Sequence, residues 1–68
     1  MKVGDTIAYR SREGKVLTAK VERIELCPAG EKYGEPMDEV NNKQLSRCTL
    51  DLDNGHWCYG DQIIRIVK

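Results

Sequence analysis

The fold is decided by residues 48–59, which read CTLDLDNGHWCY. Apolar and polar side chains alternate along residues 48–52, and this period of two predicts a half-buried strand. The pair Asn54-Gly55 that follows favours a tight hairpin, because both residues tolerate the positive φ of a type I′ turn. We therefore predict that the chain folds back here and that residues 56–59 form the return strand.

Two further strands are predicted at the ends of the chain. Residues 6–10 alternate in hydropathy and precede a turn in which Gly14 can adopt a positive φ. Residues 63–67 read IIRIV and are apolar on both faces, so we predict a last strand buried on both sides, entered through a short helical turn. A strand buried on both sides implies that the sheet closes on itself.

Residues 15–26 fit two structures. Leu17, Val21 and Ile24 are spaced as on one face of a helix. The same segment also fits a long strand whose phase shifts near Glu22-Arg23, as a β-bulge would produce. We prefer the strand because β-branched residues are frequent here and no capping box opens a helix.

Residues 27–44 are predicted to form a long acidic loop between strands two and three. The segment contains both prolines of the chain, and we place one helical turn at residues 36–40, where proline suits the first helical position. Tyr33, Met37 and Val40 are the side chains expected to fasten the loop to the rest of the domain. A loop of this length in a small domain is often functional.

Composition narrows the class of protein. The chain has 68 residues, which allows one domain over residues 1–68 with a small core. Eleven basic and eleven acidic side chains cancel, which argues against a protein that mainly holds a nucleic-acid backbone.

No apolar run is long enough to span a membrane and no signal peptide is evident, so we expect a cytoplasmic protein. The three cysteines do not suggest a disulfide framework.

The predicted order of five strands resembles an SH3-like barrel of the Tudor or KOW type. The resemblance rests on residues 3–9 (VGDTIAY), on Gly14-Lys15 before the second strand and on residues 56–63 (HWCYGDQI). It implies a small barrel that binds partners through its loops and one strand face. The chain is also similar to small bacterial and phage proteins that use this barrel.

Aromatic side chains form the first candidate site. Trp57 and Tyr59 share one face of their predicted strand, and Tyr9 and Tyr33 are the other aromatic residues. If they point outward, they offer an apolar platform with polar tips that suits peptides, bases or methylated cations. In Tudor-type barrels, the resemblance implies, such residues form a cage around a methylated ligand. The alternative is that Trp57 anchors the core and Tyr59 packs beneath the long loop.

Two other candidate sites are built from charged and metal-ligating residues. A basic cluster surrounds the first turn, and the KOW resemblance implies contacts to RNA from a neighbouring loop; the alternative is a solvated hairpin face. Its members are Arg10, Arg12, Lys15 and Lys20. A zinc site would have suitable ligand types but poor spacing, and the alternative is that the cysteines are small core residues. Its ligands would be Cys27, Cys48, His56 and Cys58.

These observations favour a non-catalytic interaction module without a cofactor. His56 and Cys58 alternate on one strand, a spacing that does not give the geometry of a nucleophile and its base. The leading hypothesis is a protein-binding module that uses the aromatic strand face and the long loop. The alternatives are an RNA- or DNA-binding barrel that uses the basic first hairpin, and a structural subunit whose sheet edge pairs with a larger assembly.

Overall fold

Antiparallel strands dominate the structure, a computed structural model that describes residues 1–27 and 34–67. The elements follow one another as β1 (Thr6–Arg10), β2 (Val16–Leu26), β3 (Glu35–Met37), α1 (Asn42–Leu45), β4 (Cys48–Leu52), β5 (Trp57–Tyr59), a 3₁₀ turn (Gly60–Gln62) and β6 (Ile63–Val67). The predicted mostly β fold is therefore confirmed. Tyr33 lies outside the described residues.

The six strands form one antiparallel sheet in the order β5-β4-β2-β1-β6, with β3 paired to β2. β2 pairs with three strands because its partners change along its length. Its first half pairs with β1 and its second half with β4, and the register shifts between Val21 and Arg23. The prediction of a long strand with a β-bulge at this point is confirmed, and the helical alternative is wrong.

The core lies on the inward face of this sheet. Ile7, Ile24 and Leu50 come from three different strands and are fully buried. Ala19 and Val21 precede the register shift in β2 and Ile24 follows it, so the shift keeps both halves of the strand directed inward. Burial of this small apolar set is the main source of stability in so short a chain.

The β4–β5 hairpin is present, but its turn differs from the predicted type I′. Gly55 has φ 82°, whereas no residue other than glycine has a positive φ in the described part of the chain. Leu52 N donates to His56 O at 2.9 Å, so three residues form the loop. This pattern is typical of a type I turn followed by a left-handed glycine. The return strand accordingly begins at Trp57 rather than at His56.

The predicted helical turn at residues 36–40 is wrong. Pro36 lies in β3, which pairs with the end of β2 inside the predicted long loop. Proline is tolerated there because β2 is the one described strand that pairs with β3, which leaves the other side of β3 without a ladder in the described ranges. The helical segment begins at α1, where Asn41 and Gln44 form a reciprocal capping box. No helix in the described ranges is long and apolar enough to cross a membrane.

Part of the predicted long loop is fastened as expected. Val40 is buried and Met37 packs against the core. Val40 also exchanges backbone hydrogen bonds with Met1, at 2.8 Å and 2.9 Å. This pairing places the segment before α1 next to the N-terminal residues that precede β1.

β6 forms as predicted, although its expected burial on both sides is wrong. Among the described strands it pairs only with β1, and it lies at the edge of their sheet. Ile64 and Ile66 are 49% and 39% exposed. The register also shifts between Ala8 and Tyr9 of β1 opposite this strand. β6 is therefore an edge strand with a register shift, and its apolar residues on the outer face remain exposed.

Candidate functional site

Two large aromatic side chains lie exposed on β5. Trp57 and Tyr59 are 49% and 46% exposed, while Cys58 between them points into the core. The two rings meet edge to face, with their centroids 5.1 Å apart and their planes at 87°. This is a favourable geometry for an aromatic pair. The pair presents a wide apolar surface whose polar edges remain accessible to a partner.

Trp57 stands at the wall of a cleft of about 460 Å³, which we call the aromatic cleft. The opposite wall is the turn between β1 and β2, from which Arg12, Glu13 and Lys15 face the cleft. Leu17 contributes apolar surface at its base. Cleft volumes of this order are typical of sites for small ligands and short peptide segments.

Arg12 bridges the two walls of the aromatic cleft. Its guanidinium carbon lies 5.2 Å from the centre of the Trp57 ring. A cation within about 6 Å of an indole face is attracted by the ring quadrupole, by roughly 0.5–1 kcal/mol at exposed sites. Arg12 from the basic cluster and Trp57 from the aromatic site therefore belong to one site rather than two.

Gln62 holds the aromatic cleft in shape from below. Its side-chain oxygen accepts from Tyr59 N at 2.8 Å, and its side-chain nitrogen donates to Arg10 O at 2.9 Å. One amide therefore joins the end of β5 to the end of β1. The backbone that carries the aromatic pair is fixed relative to the first turn by these two bonds.

Replacing Gln62 with alanine is expected to lower the free energy of unfolding by about 1–2 kcal/mol, because two hydrogen bonds are lost together. Urea unfolding followed by circular dichroism measures the change. Gln44→Ala is the matched control, since the Gln44 side-chain oxygen accepts one hydrogen bond, from Asn41 N. A loss at Gln62 no larger than the loss at Gln44 would contradict the bracing role.

Tyr9 contributes to the aromatic cleft differently from the other aromatic residues. It is 2% exposed and belongs to the core cluster. Its hydroxyl accepts from Asn54 Nδ2 at 2.9 Å, which ties β1 to the β4–β5 turn. Tyr9 therefore lines the cleft from the core side, and the exposed aromatic side chains within residues 1–27 and 34–67 are Trp57 and Tyr59.

The charged residues around the aromatic cleft are mixed in sign. Lys15 and Arg12 share the cleft with Glu13. Asp51 lies directly opposite Trp57 in the β4–β5 register. Of the other predicted basic residues, Arg10 lies beside the cleft, in the adjoining depression around Gln62 and Ile64, and donates to Gly14 O at 3.4 Å. Lys20 is paired with Thr6 of β1.

A shallower depression extends the aromatic cleft along the molecule. It shares Ser11 and Gln62 with the cleft and continues to Ile63 and Ile64. Asp61 lies beside it. An extended chain lying across Trp57 therefore has room to continue over Gln62 towards the exposed side chain of Ile64.

The cysteines do not form a metal centre with His56 in the described ranges. Cys48 and Cys58 are buried, Cys27 is half-buried and His56 is exposed. The Cys48 thiol donates to Gln44 O at 3.2 Å. No group of three or more histidine, cysteine or acidic residues there is positioned to hold a metal ion. Cys48 and Cys58 are core residues.

Burial makes Cys58 a poor nucleophile. Removal from water, with a smaller contribution from the Asp61 carboxylate, raises the pKa of the Cys58 thiol to about 11. A thiol with this pKa stays protonated at neutral pH. Its side chain also points away from the aromatic cleft, so a nucleophilic pair with His56 has no support in the geometry.

The same pKa shift predicts that stability falls at alkaline pH. The folded pKa lies above the ordinary thiol value of 9.0, so the unfolded chain releases its proton first. The contribution of Cys58 is complete below pH 9 and is lost as the pH rises through about 11. Urea unfolding between pH 8 and pH 10.5 should show a steeper decline for the native chain than for Cys58→Ala. Equal slopes would contradict the assignment.

Sequence reasoning missed the residues that connect the site. The hydrogen bond from the Gln62 side chain to Arg10 O joins residues 52 positions apart, and no local sequence pattern predicts such a contact. Asn54 was recognised as a turn residue, whereas its side chain also holds the Tyr9 hydroxyl. The contact between Arg12 and Trp57 depends on the position of the β1–β2 turn relative to β5, which the sequence alone does not reveal.

Comparison with known proteins gives no match, whether with protein-family models, with curated proteins or with solved structures.

Proposed function

We propose that this chain is a non-catalytic interaction module that binds an extended segment of another protein in the aromatic cleft. The observation that carries the proposal is the half-exposed ring of Trp57 at the cleft wall, with the half-exposed ring of Tyr59 packed edge to face against it. Aromatic residues of this kind are enriched at the centres of protein interfaces.

The finer architecture that we propose is an SH3-like barrel. Neighbouring positions in the sheet are taken by β1, β2, β4 and β5 in chain order, and the 3₁₀ turn then returns the chain so that β6 pairs with β1. The bulge in β2 supplies the bend that closure of a small barrel needs. β3 would then be an addition to the five barrel strands.

The properties of the aromatic cleft favour a peptide as the occupant. It combines apolar surface from Trp57 and Leu17 with charges of both signs. Its continuation past Gln62 suits an extended ligand longer than the cleft itself. The bracing by Gln62 keeps the site in shape before binding, which reduces the entropic cost of association.

The proposal is tested with a random library of 12-residue peptides displayed on phage. The library is selected on the immobilised full chain after depletion on the Trp57→Ala variant. We expect peptides that are enriched on the native chain and, once synthesised, bind it and perturb backbone amide resonances of residues 11–17 and 56–62. These ranges carry most of the residues that line the aromatic cleft.

Two results would overturn the proposal. The first is no enrichment on the native chain relative to Trp57→Ala. The second is binding whose resonance changes lie on another part of the sheet. Val16→Ala is the control for general loss of apolar surface, because Val16 is 55% exposed and does not line the aromatic cleft.

A nucleic-acid-binding function is the second candidate, favoured by one observation. Arg12 and Lys15 line the same cleft as Trp57, which places cations beside a stacking surface. Glu13 in the cleft and Asp51 opposite Trp57 weaken this candidate, since both repel a phosphate backbone. A labelled 15-residue oligothymidine should bind tightly at 20 mM salt and lose most of its affinity at 300 mM salt if this candidate is right.

A further inference from the structure

The Arg12 side chain lies over Trp57 and makes no hydrogen bond with any residue in the ranges 1–27 and 34–67. The guanidinium carbon sits 5.2 Å from the ring centre, and Arg12 is an exposed residue. The guanidinium N–H donors radiate from the edge of the group and form a fork that matches a carboxylate. The N–H donors of Arg12 are therefore available to a bidentate acceptor above Trp57.

Arg12 has no acidic partner in the described part of the chain. The one ion pair found within residues 1–27 and 34–67 joins Arg23 to Glu25, elsewhere on the sheet. Lys15 lines the same cleft and likewise takes part in no ion pair in those ranges. Two cations consequently face the cleft without an ion-pair partner in the described ranges, beside the one carboxylate of Glu13, so the cleft keeps an excess of positive charge.

We propose that Arg12 and Lys15 form a receptor for a carboxylate side chain of the bound peptide, with Trp57 as the surface that holds Arg12 in place. This inference rests on the proposed peptide-binding function and names the class of residue that the cleft selects. A carboxylate presents two oxygens that match the guanidinium edge.

An acidic side chain fits this receptor better than a chain terminus. The aromatic cleft opens into the depression beyond Ser11 and Gln62, so the ligand backbone can continue on past the receptor. A site for a terminal carboxylate needs no such continuation. The selected residue is accordingly an aspartate or glutamate within the peptide.

The experiment uses peptides from the library selection, made with acetylated N-termini and amidated C-termini. Each is compared with an analogue in which its acidic residue is changed to the corresponding amide, and with a version that has a free C-terminal carboxylate. We expect the amide analogue to bind the native chain about tenfold more weakly, the effect of losing one charge-assisted bidentate contact. We expect the free C-terminus to leave affinity unchanged.

Variants of Arg12 identify the group that recognises the carboxylate. The double variant Arg12→Gln, Lys15→Gln should bind the acidic peptide and its amide analogue equally, since it removes both cations and the guanidinium fork. Arg12→Lys keeps the charge but loses the fork and the stacked geometry, so we expect it to retain less than half of the discrimination in free energy. Amide proton spectra of both variants verify that the fold is intact.

The outcomes separate this inference from the function on which it rests. Peptides that lose binding in Trp57→Ala yet bind equally well as acid and amide would overturn the carboxylate receptor and leave the peptide site standing. A dependence on the free C-terminus alone would also overturn it. Failure to select any peptide would overturn both proposals.

Discussion

Replacing Gly60 with alanine is expected to destabilise the fold by about 3 kcal/mol, the upper end of the usual cost of overpacking. A Cβ atom built on Gly60 would lie 1.7 Å from the carbonyl oxygen of Leu45 and 2.6 Å from its carbonyl carbon. Both atoms belong to the backbone at the end of α1, so no side-chain rotation relieves the clash. Either the 3₁₀ turn or α1 has to move.

A loss of this size is large for the chain. Domains of this length have unfolding free energies of roughly 3–10 kcal/mol, so Gly60→Ala should unfold at a much lower denaturant concentration than the native chain. Guanidinium unfolding followed by circular dichroism measures the change. Because the displaced turn carries Gln62, the variant should also lose the bracing of the aromatic cleft.

Gly14→Ala is the control for Gly60→Ala. Gly14 has φ 84°, and nothing lies within 4 Å of a Cβ built there, so alanine costs only the backbone strain of about 1 kcal/mol. The account requires Gly60→Ala to be clearly the more destabilising of the two. A smaller or equal loss at Gly60 would mean that α1 and the 3₁₀ turn do not pack as closely as described.

Replacing Trp57 with alanine is expected to weaken binding of a selected peptide at least thirtyfold, or about 2 kcal/mol, with little change in stability. Central aromatic anchors of interfaces typically lose this much on truncation. The side chain points outward and is 49% exposed, so its removal leaves no buried cavity. It also removes the surface on which Arg12 stacks. Isothermal titration calorimetry measures the affinity.

Two comparisons make the Trp57 result interpretable. Val16→Ala removes exposed apolar surface outside the cleft and should leave affinity within about twofold of the native value. Trp57→Phe keeps an aromatic face and should retain part of the affinity. Affinity that survives in Trp57→Ala would show that the peptide binds elsewhere.

Much of the strand pattern was predictable because its signals are local. Alternation in β1 and β4 and the phase shift in β2 were sufficient to identify these strands and the bulge between Val21 and Arg23. The pair Asn54-Gly55 was sufficient to predict the β4–β5 hairpin. The turn type was not predictable, because within this pair only Gly55 adopts a positive φ. The burial of Val40 followed from its apolar character within a polar segment.

The errors arose where tertiary context overrides a local pattern. Pro36 suits the first position of a helix, yet it lies in β3 and pairs with the end of β2. The helix begins instead after the capping box of Asn41 and Gln44, which was not identified from the sequence. The apolar composition of β6 suggested a strand buried on both sides, whereas Ile64 lies at the sheet edge. Neither outcome is visible without knowing which strands are neighbours.

The candidate site was predictable as a set of residues but not as an arrangement. Sequence alone identified Trp57, Tyr59, Arg12 and Lys15 as candidates for two separate functions. Trp57, Arg12 and Lys15 meet in one cleft, with Tyr59 packed against Trp57, because β1 pairs with β2 and Gln62 braces β5. Contacts between residues far apart in the chain decide such convergence.

The most direct test of the aromatic cleft uses the indole N–H resonance of Trp57, the one tryptophan of the chain. A proton–nitrogen correlation spectrum gives it a single, separate peak that reports on this site alone. During titration with a selected peptide, the account predicts that this peak shifts with the same dissociation constant as calorimetry and that the amide peaks of Glu35 and Met37 in β3, which do not line the cleft, stay in place. A peptide that binds while the indole peak does not move would contradict the account.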